Sequence, residues 1–591
     1  MRKMICPAAA ALLMASLPAA AQNLNPTVSV TRAYEGKLLE SEKPSLRMSV
    51  PDSVTNFNLD FDYSVLANSY RGGTSSTPFL QDIRPERKLA KTSRLWLRAG
   101  AGYNLHPELN FVWEAVRRDR FSLNLYADHN SYYGRYRGIG LGTETDRSGN
   151  ERKVLATNSY LSDSSEPRFV GYDLDTRAGI GGRYDWESGS FVFDVNYRGI
   201  ASRDTVLSRS YNSLNLSAEV KSNNNDSNYL YYEAGLKYNF GQQDLGSLAA
   251  PAPVSYVREH MFSVAGTVGP VFSYVHSVLV GIGFKLAGYG VPTGYDLRHA
   301  GLVSLAPRYV YVKDRWNITA GLSVEFLLKP DGSAMNTRKG QVVYPKVDVN
   351  FEAVQDCLNI FFKADGGADV NDYASMIVRN HWFDPLSAAS TVLLDNTVTR
   401  ADLALGINGN ITSRFAYDLR VGYAAIAGAA LDGARICSLG NLVQGVSYSD
   451  INMPYARLSF DLRTSRVDLD GEIRWSCPSF MKSVPEQERM GLLPSPLRGN
   501  VSFTWNWIRR IYAGVSIDAA LGRKGAMSIA GVREAVRMPG YIDLGLDFSY
   551  RVTRSFSLWA KGGNLACMTI QRTPLHAEAG PYFTLGVCLN L

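Results

Sequence analysis

Residues 581–591 read P-Y-F-T-L-G-V-C-L-N-L, and from Phe583 every second residue is apolar: Phe583, Leu585, Val587, Leu589 and Leu591. Thr584, Gly586, Cys588 and Asn590 fall between them. Successive side chains of a strand point to opposite faces, so this is a β-strand with one greasy face and one small or polar face. The pattern recurs upstream. Trp316, Ile318, Ala320, Leu322, Val324 and Phe326 oppose Asn317, Thr319, Gly321, Ser323 and Glu325. Val501, Phe503, Trp505 and Trp507 oppose Ser502, Thr504 and Asn506, and Ile542, Leu544, Leu546 and Phe548 oppose Asp543, Gly545, Asp547 and Ser549. A soluble antiparallel sheet with one wet face has the same period. The number of such strands separates the two cases, because no second family of apolar segments is present to cover them. The greasy faces therefore meet lipid, and the expected fold class is all-β: a transmembrane antiparallel outer-membrane β-barrel spanning residues 93–591.

The other end of the chain fits that compartment. Arg2 and Lys3 precede an apolar run at 8–17, which ends in the small-residue site Ala19-Ala20-Ala21 before Gln22. This reads as a cleavable signal over residues 1–21. Cys6 precedes the run instead of ending it, which speaks against a lipidated N-terminus. No later stretch approaches 18 consecutive apolar residues, so the expected membrane passage is by strands. Charged residues make up 20% of the chain, an ordinary aqueous value that barrels share because polar lumen positions offset lipid-facing ones. The formal charge of +7 falls to +5 once Arg2 and Lys3 leave with the signal, too small an excess to point to nucleic acid.

Short polar links punctuate the alternation. They include Arg117-Arg118-Asp119-Arg120, Lys313-Asp314-Arg315, Ser413-Arg414, Ser465-Arg466, Arg509-Arg510 and Thr553-Arg554-Ser555, each followed by an aromatic or β-branched residue. Longer Gly-, Ser-, Asn- and Asp-containing segments at 133–167, 371–399, 431–450, 478–495 and 524–538 lie between them. Short turns at the periplasmic rim and long loops at the outer rim are the outer-membrane arrangement. About ten short turns imply about 22 strands, an even number within a range of 14 to 24, a size at which such barrels usually carry a plugged lumen. Pro307 and Pro345 fall inside expected strands, where each removes a ladder hydrogen bond and predicts a bulge or a miscounted segment.

The closing block is similar to the last hairpins of TonB-dependent outer-membrane receptors. The likeness rests on Pro539-Gly540-Tyr541-Ile542-Asp543-Leu544-Gly545, Phe556-Ser557-Leu558-Trp559, Gly563-Asn564-Leu565 and the terminal strand. It covers about the last fifty residues, and Leu591 stands where the family usually ends on an aromatic. The resemblance implies that the Asn564-Leu565 pair closes the penultimate strand, and that the barrel follows a globular plug. The segment 22–92 is too short for such a plug and reads as an extended arm, periplasmic or within the lumen. Within it, Phe57, Leu59, Phe61, Tyr63 and Val65 alternate with polar residues as one further strand, which would join the barrel, cross the lumen or pair with a partner's sheet edge. Thr27-Val28-Ser29-Val30-Thr31 is similar to the segment the family offers to a TonB-type coupling protein.

Motifs for site chemistry are sparse. His106, His129, His260, His276, His299, His381 and His576 are scattered singly, and no cysteine pair has metal spacing, so neither a metal nor a cofactor is expected. Gly138-Ile139-Gly140-Leu141-Gly142 follows a strand and opens no helix, so it reads as a flexible loop and not as a phosphate cradle. No Gly-x-Ser-x-Gly elbow is present, and an enzyme is not expected, although an outward Ser-His pair on a barrel wall would leave no linear motif. Around Ser465-Arg466 the inward positions Arg457, Asp461, Arg463, Asp468, Asp470, Glu472 and Arg474 form a mixed-charge wall, either salt-bridged lining or a docking surface. Cys437 and Cys477 are both placed at the outer rim, where an oxidising environment permits a bridge. Two functions follow. One is a transport-related barrel resembling TonB-dependent receptors, its lumen occluded by the arm or a partner. The other is a non-transporting accessory subunit that contacts lipid and an envelope lipoprotein or other barrel subunits.

Overall fold

Strand Tyr582–Asn590 pairs on one side with Phe556–Gly563 and on the other with Leu95–Tyr103, from Trp96 opposite Asn590 to Tyr103 opposite Phe583. That second pairing joins the last strand to the first and closes the sheet, which leaves no edge. The computed structural model describes residues 94–591 apart from 104, 146–148, 150, 157–167, 204–206, 224–228, 248–249, 273–274, 292–298, 329–339, 356, 384–393, 437–441, 509 and 530. The signal at 1–21 and the arm at 22–92, with the runs at 27–31 and 57–65, lie outside the described residues.

The wall is a closed antiparallel barrel of 22 strands, each paired with its neighbours in chain order. Both termini of the wall sit at one rim, so 22 strands require ten turns there, as the sequence implies. The alternation assigns faces correctly. Leu585, Leu322, Leu546 and Phe326 are 56%, 54%, 48% and 45% exposed on the outside, whereas inward Thr584 is fully covered. At the closing seam Trp559 lies across Gly100 and Gly586, where an added Cβ would come within 2.4 Å of a ring carbon. The Arg98 guanidinium stacks on the same ring at 4.1 Å.

The two strand prolines leave the register intact. Pro307 faces Val280 on one side, and on the other it falls in a gap between the pairs Leu305–Val324 and Arg308–Gly321. Pro345 pairs with Leu322 but lies beyond Val347–Ala364, the last pair its strand makes with Leu358–Val370. Each sits where a neighbour's ladder already lapses, so neither forces a bulge.

The outer rim departs from the loop reading. The stretch 431–450 is mostly strand: Phe415–Ile436 and Leu442–Arg463 are 22 residues each, twice the roughly 9–11 that cross a bilayer. The stretches 133–167 and 524–538 contain hairpins, Gly140–Thr145 with Glu151–Ala156 and Arg523–Ile529 with Val532–Met538. These two pair in parallel through Val536 and Lys153. Ile139, Leu141, Leu155, Leu492, Met527, Val536 and Met538 bury a small apolar core beneath them. A barrel has no central hydrophobic core, so apolar residues in its outer loops fold upon each other.

The same extension bears on the Cys437–Cys477 bridge, one half of which can be placed. The Cys477 N–H donates to the carbonyl of Pro454 at 2.9 Å, and Pro454 lies opposite Tyr423. From Tyr423 the strand runs thirteen residues further to Ile436, about 43 Å at the usual strand rise. Cys437 itself lies outside the described residues. Cys477 is an exposed free thiol, and its Cα would have to come within about 7 Å of a partner's to bridge. We expect an impermeant maleimide to label Cys477 on intact cells, with no labelling in Cys477→Ser. Protection that reductant removes would instead show Cys477 in a disulfide.

Candidate functional site

Of the stretch read as an outer loop at 371–399, the described residues 371–383 turn into the lumen. Asp372 caps the helix Tyr373–Arg379 by accepting from the Ser375 N–H at 2.8 Å. Tyr373, Met376 and Ile377, spaced i, i+3 and i+4, form its buried face and pack on Ile200, Tyr211, Val257, Ala287, Tyr289 and Val446 of the wall. Seven residues are too few for a self-supporting helix, so tertiary ties hold it. Lys285 Nζ reaches Asp369 at 3.1 Å, Asp372 at 3.0 Å and the carbonyl of Val370 at 2.7 Å. The Ala374 N–H donates to Glu259 at 3.1 Å. At the far end Arg379 meets Asp432 at 2.5 Å, and Arg523 meets the other oxygen of that carboxylate at 2.7 Å. Beyond the helix, His381 Nδ1 lies 2.6 Å from Asp173.

A second inward segment, 564–581, joins the last two strands. Asn564, at φ +48°, closes the penultimate strand as the family resemblance implies. Its amide nitrogen donates to the carbonyl of Met568 at 2.9 Å, and its carbonyl accepts from the Met568 N–H at 3.1 Å. Arg572 pins the segment to the wall, reaching Asp518 at 2.8 Å, Asp543 at 3.1 Å and its own segment's Glu578. Gln571 donates to the carbonyl of Leu155 at 3.2 Å, and Leu575 and Ala577 enter the core under the outer hairpins. The two inward segments meet where His576 stacks on Trp382, with centroids 4.1 Å apart and planes 2° from parallel.

Two groups on these segments titrate so as to hold them at low pH. Burial alone would lower the His381 pKa, but the Asp173 carboxylate outweighs it and the net shift is upward from 6.5. Burial raises the Glu578 carboxyl above 4.5, against the pull of Arg572. A folded-state pKa raised above the unfolded value gives stability that is present below the unfolded value and lost as pH rises through the folded one. Both shifts therefore loosen the segments with rising pH, Glu578 from above 4.5 and His381 from above 6.5. Hydrogen exchange of the 371–383 peptides, corrected for intrinsic rate, should show protection falling as pH rises above 6.5. A pH-independent protection factor would contradict the assignment.

Beneath these segments lies a cavity of about 830 Å³ lined by polar side chains from the wall and from both inward segments. Asn196, Asn215 and Asn239 stand opposite one another on three adjacent strands. The Asn215 amide donates to Asn196 at 3.0 Å, and Asn239 donates to Asn215. The relay ends at Asp194, which accepts from Asn196 and, at 2.6 Å, from the Tyr126 hydroxyl. Arg198 forks onto Asp175 at 3.1 and 2.7 Å.

Part of the mixed-charge wall is paired within itself. Arg457 bonds Glu472 at 2.6 Å and Arg463 bonds Asp461 at 3.0 Å. Gly138 forms a single bridge with His576, and Gly140 begins a strand, so the glycine run cradles no helix. No group of three His, Cys, Asp or Glu side chains suited to a metal occurs among the described residues. A Ser-His pair does exist on the outward face. His129 Nε2 lies 3.0 Å from Ser131 Oγ and its Nδ1 lies 2.7 Å from Thr176 Oγ1. Ser131 is only 4% exposed and its hydroxyl also faces the Pro107 carbonyl at 3.5 Å. The sequence reading missed Arg572, Asp432 and the asparagine relay, because each is ordinary in a lumen and is distinguished only by partners far along the chain.

The closed 22-strand wall, its apolar outside and its inward segments define an outer-membrane barrel of the TonB-dependent receptor type of fold. The FrpB iron transporter of Neisseria meningitidis superposes with a TM-score of 0.59 at 12% identity, over 85% of this chain and 81% of that one. A ferric enterobactin receptor (PfeA) variant of Pseudomonas aeruginosa gives 0.56 at 10% identity over 84% and 80%, and the ferric-catecholate import receptor Fiu of E. coli K12 gives 0.58 at 9% over 85% and 82%. No sequence-defined family matches the chain, and neither does any curated protein.

Proposed function

We propose that this barrel is a gated pore for a polar solute in the outer membrane. The observation that carries the reading is the polar cavity of about 830 Å³ held under two inward-folded segments. A purely structural wall has no need of such a chamber, and solute sites are concave with a few placed polar groups. On this reading the lumen is occluded by the arm at 22–92 or by a partner, and the segment at 27–31 is the one offered to a TonB-type coupling protein. The similar solved structures are an iron transporter, a ferric enterobactin receptor and a ferric-catecholate import receptor, and this chain takes from them the transport class without the cargo.

A second reading is that the barrel serves as an accessory subunit of an envelope complex. The structured outer hairpins favour it, since a dome of paired strands is a suitable platform for a lipoprotein. Purification from native membranes in mild detergent separates the two. A barrel recovered alone, with measurable solute-dependent current once opened, supports the pore. A stoichiometric partner together with a lumen that never conducts would replace it with the accessory role.

A further inference from the structure

We propose that the cavity binds a neutral, hydroxyl-rich ligand of oligosaccharide type along the Asn196-Asn215-Asn239 relay. This rests on the reading of the barrel as a solute pore and names the class of solute.

The first ground is the hydrogen-bonding capacity of the strip. The three amides all donate in one direction, from Asn239 through Asn215 and Asn196 to the Asp194 carboxylate. A polarised chain of this kind strengthens each of its bonds. Each amide nitrogen carries two hydrogens. One hydrogen of Asn196 and one of Asn239 are committed to the relay, and the carbonyl oxygen of Asn239 at its open end is buried and accepts no hydrogen bond among the described residues. The strip therefore brings amide donors to the cavity wall and keeps one unpaired acceptor just behind it at its open end. A hydroxyl both donates and accepts, so a row of hydroxyls matches such a row of amides without leaving either unpaired.

The second ground is charge. The carboxylates at this wall have partners already: Asp175 is forked by Arg198, Asp173 faces His381, Asp194 accepts from Tyr126 and Asn196, and Asp128 accepts from Asn110 at 2.6 Å. Arg177 stacks over the Tyr126 ring at 5.5 Å. An anionic chelate entering here would need an excess of arginine or lysine, and a bare cation would need converging carboxylates. Burying a charged ligand against already paired groups carries a desolvation cost that nothing here repays. A neutral polar ligand avoids that cost. The volume of about 830 Å³ falls within the roughly 300–1,000 Å³ typical of small-molecule sites, which fits a few linked sugar rings.

The test is calorimetric titration of the full-length detergent-purified protein with maltotriose, cellotriose and chitotriose, and in parallel with ferric citrate as an anionic chelate. Saturable binding of at least one trisaccharide is expected, weakened at least tenfold in Asn215→Leu, with heat-modifiable migration unchanged. If Asn215→Leu fails to assemble, Asn215→Ser, too short to continue the relay, should show the same loss. Absence of binding by all three sugars, binding indifferent to both variants, or tighter binding of ferric citrate would overturn the proposal. Because the titration requires no current, it can succeed or fail independently of the pore reading, which conductance tests.

Discussion

With lysine in place of Leu585 the barrel fails to assemble, whereas lysine in place of Asn590 leaves it heat-modifiable and correctly inserted. Leu585 lies midway along the final strand, faces lipid and is more than half exposed on the bare protein. A lysine near the bilayer midplane costs about 2–4 kcal/mol, and near the interface on the order of 0–1. Asn590 faces the lumen at the periplasmic end, where a charge keeps its water. The pair also tests the seam, because both residues belong to the strand that closes the sheet onto Leu95–Tyr103. Heat-modifiability on gels and surface proteolysis read assembly directly. Equal assembly of the two variants would remove the assignment of faces on which the barrel reading depends.

Replacing Asp432 by alanine should release the inward helix. One carboxylate holds two arginines from different segments, Arg379 at the end of the helix and Arg523 at the start of an outer hairpin, and all three side chains are at least 70% covered. Removing one partner from a buried ion pair costs about 3–5 kcal/mol, chiefly because the remaining charges are stranded. Arg523 keeps hydrogen bonds to the carbonyls of Leu492 and Leu493 at 2.8 and 3.0 Å, so the greater loosening falls on Arg379. Trypsin applied to intact cells should then cut after Arg379 in Asp432→Ala while sparing the unaltered protein. Equal resistance of the two would show that apolar packing of Tyr373, Met376 and Ile377 suffices to hold the helix.

The wall was legible in the sequence because its signal is local. A period of two over ten residues identifies both the strand and its faces, and Thr584 against Leu585 shows how sharply the structure follows it. Counting turns worked for the same reason, since Ser413-Arg414 or Thr553-Arg554-Ser555 breaks the alternation at one point. The outer rim was less legible. Residues 431–450 read as a loop because small residues such as Gly433 and Ser447 interrupt the greasy pattern where the strands leave the membrane and no face needs to be apolar. The lumen site was not legible. Arg572 is tied to Asp518 and Glu259 to the N–H of Ala374, and these contacts span 54 and 115 residues. A polar residue that lines water and one that anchors a segment have the same neighbours in sequence, so only the folded chain distinguishes them. Asn564 is an instructive exception, picked out by the family resemblance and not by its spacing.

Closure of this wide barrel by its N-terminal arm, proposed above, is tested most directly by planar-bilayer conductance. Two proteins are compared, the intact chain and one in which 22–92 is deleted behind the signal, after each is shown to be inserted and heat-modifiable. The intact protein should give little ohmic current, and the deletion should give steps at least severalfold larger. Equal conductance with both open would place the arm outside the pore, and equal closure would show that the inward segments 371–383 and 564–581 block the lumen without it; either result contradicts closure by the arm.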